Sequence, residues 1–203
     1  MKITAIKAAV KTKGRFNIFV DGAYKFSLDE LQLVSTGVRT GKEYTEAELT
    51  TLLEESAFGK AYARALEYIM RRPRSEKELR DYAWRKKWEP AMTERVIARL
   101  FEKRHLDDAA FAVVWVRHRS LGRPTSLRKL RLELRQKGIA EEHVETALAT
   151  GDGFDEKDAL QRLVDKKRAR YPDPQKFIAY LMRQGYSYDA VKRALSDQPA
   201  DDE

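Results

Sequence analysis

No cysteine occurs in the 203 residues of the chain, which excludes disulfides, thiol catalysis and cysteine-ligated zinc, and fits a reducing compartment. Histidine is nearly as scarce, and His105, His118 and His143 stand at spacings that make no ligand set. Nothing approaches the ~18 consecutive apolar residues of a membrane span. The start, Met1-Lys2-Ile3-Thr4-Ala5-Ile6-Lys7, lacks the apolar run of a signal peptide, so a cytosolic protein without membrane contact is expected. A Walker loop, a nucleophile elbow and a zinc-helix motif are all missing. Neither enzyme activity nor a cofactor is expected.

What is abundant is charge: 35 % of residues are charged, 42 % are hydrophobic, and the net charge is +8. The excess is local. Residues 57 to 137 hold 22 Lys and Arg against 10 Asp and Glu, while the flanks together hold 18 against 22. A contiguous basic block of this kind meets an anionic partner.

Residues 1 to 28 alternate as strands do, from Ile3 and Ala5 toward Val10, then Phe16, Ile18 and Val20, then Ala23 to Phe26. Asp21-Gly22 tolerates the positive φ angles of a tight hairpin turn, so a small antiparallel sheet is expected. Ser27 with Glu30 reads as a capping box opening a short helix through Leu31 and Val34, which Gly37 can stop, and Thr45 with Glu48 opens another through Leu49 and Leu53. From Ala57 the pattern is helical throughout. Pro73 precedes a capping box of Ser75 with Glu78, so a helix starts there and carries Leu79, Ala83 and Trp88, and a second follows Pro90 through Val96 and Leu100.

The plan then restarts. Asp107 or Asp108 caps a helix through Phe111 and Trp115, Ser126 opens one through Leu130 and Leu134, and Glu141 opens one through Val144 and Leu148. Leu134, Gly138, Val144, Ala147 and Leu148 reappear 47 residues later as Leu181, Gly185, Val191, Ala194 and Leu195. Leu79 precedes Leu130 by 51 residues, whereas Val96 and Leu100 precede Val144 and Leu148 by 48, so the first copy carries three extra residues near Pro90. The expected fold is mainly α: tandem three-helix repeats forming an elongated curved rod, with a small N-terminal antiparallel sheet and short helices. The expected divisions are an appendage over 1–56, repeats over 57–105, 106–150 and 151–197, and a disordered acidic tail over 198–203. Gly138 and Gly185 follow a helix and reverse the chain; the first copy has Lys87 there.

Arg74-Ser75-Glu76-Lys77-Glu78-Leu79, Leu106-Asp107-Asp108 ahead of Phe111-Ala112, and Lys137-Gly138-Ile139, in this order and within three-helix repeats, resemble the RecX family of bacterial recombination regulators. The resemblance covers essentially the whole chain. It implies a non-enzymatic protein that binds the RecA filament on single-stranded DNA, lodges in its groove and restrains ATP hydrolysis, strand exchange and filament growth. A monomer is expected. The competing expectations are a stand-alone helical-repeat nucleic-acid-binding protein and a helical scaffold for an acidic protein.

The candidate filament- and DNA-binding residues are Arg71, Arg72, Arg74, Arg85, Lys86, Lys87, Arg119, Arg123, Arg128, Lys129, Arg131, Arg135 and Lys137, expected to form a stripe meeting phosphates and filament. The alternative is a solvated surface held by helical pairs such as Glu133 with Lys137. Trp84, Trp88 and Trp115 are read as core, with stacking on unpaired bases as the competing role; Tyr186 and Tyr188 are read the same way. Asp107-Asp108 beside His105 invites a metal, but helix capping accounts for both carboxylates. Gly151-Asp152-Gly153 reads as a hinge before a helix capped by Asp155. The acidic tail could compete for the basic block.

Overall fold

A computed structural model describes residues 1–10, 12–150 and 154–196. Three antiparallel strands come first, β1 (Ile3–Ala8), β2 (Arg15–Val20) and β3 (Ala23–Asp29), in the order β1-β2-β3. Val20 pairs with Ala23 across Asp21 (φ 48°) and Gly22 (φ 87°), the left-handed pair that a tight hairpin requires. The strand expected to run toward Val10 ends at Ala8, and Val10 is exposed.

Two helices complete this region, α1 (Glu30–Thr36) and α2 (Glu46–Met70). The capping box of α1 belongs to Asp29 and Gln32, not to Ser27 and Glu30. Strand β3 continues to Asp29, paired with Arg15, so Ser27 is strand backbone. Leu31 and Val34 are consequently exposed while Gln32 is buried. The box of Thr45 and Glu48 and the left-handed cap at Gly37 stand where the sequence puts them. Helix α2, however, runs unbroken through Ser56 and Ala57, uniting two expected helices. Ser56 serves as an anchor: its Oγ donates to the carbonyl of Ser27 at 2.6 Å. A core of Ile3, Ile18, Phe26, Leu28, Leu49 and Leu52 lies beneath the sheet.

The remaining helices are α3 (Glu76–Arg85), α4 (Pro90–Glu102), α5 (Asp108–Leu121), α6 (Leu127–Gln136), α7 (Glu141–Thr150), α8 (Glu156–Lys167), α9 (Pro174–Arg183) and α10 (Tyr188–Ser196), with a 3₁₀ turn over Arg168–Arg170. The fold is mainly α with a small sheet, as expected. Helices α5 to α7 enclose a core of Phe111, Val116, Leu130, Leu134 and Val144, and α8 to α10 one of Leu160, Val164, Phe177, Leu181 and Val191. The chain divides into two compact units, residues 1–72 with 82–105, and 73–81 with the described residues from 106 on. The division falls inside α3. The expected hinge at 151–153 and the tail at 198–203 lie outside the described residues.

The turn after each middle helix follows one path. Trp88 N–H donates to the Ala83 carbonyl, Ile139 N–H to Leu134 and Tyr186 N–H to Leu181, with Lys87 (φ 56°), Gly138 (φ 79°) and Gly185 (φ 98°) in the left-handed region. Lysine in the first copy therefore keeps the turn. What separates the copies is space. A Cβ on Gly138 would stand 2.7 Å from Cβ of Lys77, and one on Gly185 would stand 2.4 Å from Oγ of Ser126. The glycines let the middle helix of one repeat approach the start of the preceding middle helix.

Candidate nucleic-acid and protein interface

The approach is fixed by capping serines with two roles. Ser75 Oγ accepts from Glu78 N–H at 3.3 Å and donates to the Lys137 carbonyl at 2.7 Å; Ser126 Oγ accepts from Lys129 N–H at 3.3 Å and donates to the Gln184 carbonyl at 2.8 Å. Both serines are fully buried. The first amide of each helix is claimed as well. Glu76 N–H donates to Oδ1 of Asp108 at 2.8 Å, and Leu127 N–H donates to Oε1 of Glu156 at 2.7 Å. A free helix amide and a free terminal carbonyl are thus satisfied together where two repeats meet. Asp107 caps α5 through Ala110 N–H at 2.9 Å. Burial is the main cause that raises the Asp108 carboxyl above its ordinary range, against the pull of the Glu76 amide. No cluster of three metal-ligating side chains occurs among the described residues.

The thirteen candidate cations separate by what they touch. Arg119 is committed inside its repeat, its Nε and Nη2 donating to Glu133 at 2.9 and 2.8 Å, while Trp115 Nε1 donates to the same carboxylate at 3.1 Å. Lys137 binds Glu78 at 2.7 Å with its ammonium over the Trp115 ring. The expected pair of Glu133 with Lys137 is therefore not made, because each has a nearer partner from another element. Arg74 lies 3.9 Å from Glu78 and is mostly covered. These three hold repeats together.

Arg71 pairs with Glu67 at 2.5 Å. Arg131 and Arg135 make forked pairs to Glu145 and Glu141 at 2.7 to 2.9 Å, which raises both guanidiniums through those hydrogen bonds and lowers both carboxylates. Exposed partners of this kind contribute little to stability. Arg72 is exposed. Arg85, Lys87, Arg123, Arg128 and Lys129 are exposed and meet no carboxylate among the described residues, and Lys86 lies over the Tyr82 ring at 5.7 Å. Arg85, Lys86 and Lys87 belong to the first unit; Arg123, Arg128 and Lys129 belong to the second.

The aromatic residues divide too. Trp115 packs on Phe111, and Trp88 meets Tyr82 edge-on. Trp84, read as core, is 80 % exposed. Its stripe partners Ala83 and Leu79 fill the buried face, which leaves Trp84 on the side of Arg85. Tyr186 is buried, its hydroxyl unpaired and pushed strongly upward by burial, whereas Tyr188 is half exposed. Sequence reasoning missed Arg183, which joins Arg128, Lys129, Arg131 and Arg135 along a groove of about 600 Å³ between α6 and α9. The 47-residue offset was the available signal, since it sets α9 on the same plan as α6.

The family description "Regulatory protein RecX N-terminal domain" matches residues 1–45, "RecX, first three-helix domain" matches 61–100, and "RecX, second three-helix domain" matches 107–148. Proteins described as "Regulatory protein RecX" include one from Halalkalibacterium halodurans, 30 % identical over 97 % of this chain and 78 % of its own, and one from Bacillus pumilus, 32 % identical over 96 % and 76 %. The solved structure "Crystal structure of regulatory protein RecX" covers 97 % of this chain and 99 % of its own, with a TM-score of 0.83 at 27 % identity. A RecX structure from Lactobacillus salivarius covers 69 % of this chain and 95 % of its own, with a TM-score of 0.61 at 23 % identity, and speaks for the fold alone.

Proposed function

The chain belongs to the RecX family of regulatory proteins, and we propose that it modulates RecA, mainly as an inhibitor, by binding in the groove of the RecA filament on single-stranded DNA. The observation that carries the reading is the set of exposed cations without carboxylate partners among the described residues: Arg85 and Lys87 in one unit, Arg123, Arg128 and Lys129 in the other. Uncommitted guanidinium and ammonium groups on two separate units suit a long anionic target, to which each adds salt-sensitive affinity. Several weak sites on one chain bind cooperatively through effective concentration. A ligand that spans filament subunits favours the arrangement it fits and opposes the rearrangements of ATP turnover. Three-helix repeats over 57–105, 106–150 and 151–197 supply that length, and the chain acts as a monomer.

RecA ATP hydrolysis on single-stranded DNA, measured against increasing protein, tests the reading. Inhibition at saturation supports it; unchanged hydrolysis contradicts it. A second reading, a stand-alone nucleic-acid-binding protein, is favoured by Trp84, an exposed indole followed by Arg85, Lys86 and Lys87. Such a group can stack on an unpaired base.

A further inference from the structure

Superposing the repeats by their 47- and 51-residue offsets sets the start of α3 and the start of α6 in equivalent places, each facing the turn of the next middle helix. The two junctions share a backbone plan and differ in charge. At the first, Lys77 pairs with Asp81 at 3.2 Å, Arg80 with Glu76 at 2.7 Å and Lys137 with Glu78 at 2.7 Å. At the second, Asp81 is replaced by Leu132, Glu76 by Leu127, Glu78 by Lys129 and Lys137 by Gln184. Every carboxylate that neutralises the first junction is gone from the second. The result is the groove between α6 and α9, lined by five cations and no carboxylate.

Its floor is apolar. Leu132 is 55 % exposed and Met182 43 % exposed, both lining the groove. A phosphodiester chain has no group for such a floor. No aromatic side chain lines the groove as a base-stacking platform, and two of its guanidiniums are already forked to Glu141 and Glu145. What complements three uncommitted cations around Leu132 and adaptable Met182 is an apolar side chain flanked by carboxylates.

We propose that the α6–α9 groove docks an acidic, amphipathic segment of a protein partner, with an apolar side chain between Leu132 and Met182 and carboxylates against Arg128, Lys129 and Arg183. The inference rests on the filament reading for its partner, which is the protein component of the filament and not its DNA. It separates two affinities that the basic surface alone would merge: contact with protein through this groove and contact with phosphate through the other exposed cations.

The test compares the unsubstituted chain with Leu132→Ser/Met182→Ser, both exposed positions, with circular dichroism to check folding. Binding is measured to RecA–single-stranded DNA filaments and to a bare thymidine oligonucleotide. Filament affinity is expected to fall about tenfold, roughly 1.4 kcal/mol, with oligonucleotide affinity unchanged. Leu132→p-benzoylphenylalanine, irradiated on the filament, is expected to yield an adduct with protein. Unchanged filament affinity, an equal fall for the oligonucleotide, or an adduct with DNA overturns the groove assignment and leaves the filament reading standing. Failure of the unsubstituted chain to bind filament overturns both.

Discussion

Ser126 Oγ donates to the Gln184 carbonyl at 2.8 Å across 58 residues of chain while accepting from the Lys129 amide of its own helix. One hydroxyl caps a helix and joins two repeats, and Ser75 does the same with Lys137. Loss of it removes a cap and leaves a buried carbonyl unpaired. Ser126→Ala and Ser75→Ala are each expected to lower stability by about 1–3 kcal/mol, read as a lower midpoint in urea.

The left-handed turns give a contrast in sign. Gly138→Ala and Gly185→Ala add a Cβ at positive φ and drive it against Lys77 or Ser126, so both destabilise, by more than the roughly 1–2 kcal/mol of left-handed strain alone. Lys87→Gly removes strain where lysine already stands at φ 56° and is expected to be neutral or stabilising by up to about 1 kcal/mol. Thermal midpoints of the three variants check the order.

Asp108 carries a pH dependence. Its carboxyl is raised in the folded chain, chiefly by burial, so the folded state holds the proton more tightly than the unfolded state. Its contribution is fully present below the ordinary Asp range and is lost as pH rises through the raised value. Asp108→Asn keeps an acceptor for the Glu76 amide and removes the titration. The difference in stability between the two forms, followed from pH 3 upward, is expected to move toward the variant.

Arg119 and Arg128 are expected to fail differently. Arg119→Ala strands the partly buried Glu133 and lowers stability by about 1–3 kcal/mol. Arg128→Glu with Lys129→Glu leaves stability nearly unchanged but weakens binding to the filament and flattens its salt dependence, by a log–log slope of about 0.7 per lost phosphate contact on single strands. Urea denaturation beside a salt titration separates the two.

These contrasts mark what sequence could supply. Caps were legible because they are local: Ser75 with Glu78, Thr45 with Glu48, and Asp107 and Asp155 each satisfy an amide within three residues. The start of α1 was not, because pairing of Arg15 with Asp29 holds Ser27 in the sheet. Nor was the continuity of α2, where Ser56 looks like a boundary and is bound to Ser27 instead. Among the cations, helical spacing suggested Lys137 for Glu133, yet Arg119, fourteen residues away, takes it. Charge composition located the basic block; only packing shows which cations are spent inside it.

The central claim is filament recognition, and it is tested most directly by equilibrium binding to single-stranded DNA with and without assembled RecA, across a salt series. The account predicts markedly tighter binding to the filament, with a preference that persists as salt weakens both. Equal affinity for bare DNA and filament at every salt concentration would contradict it.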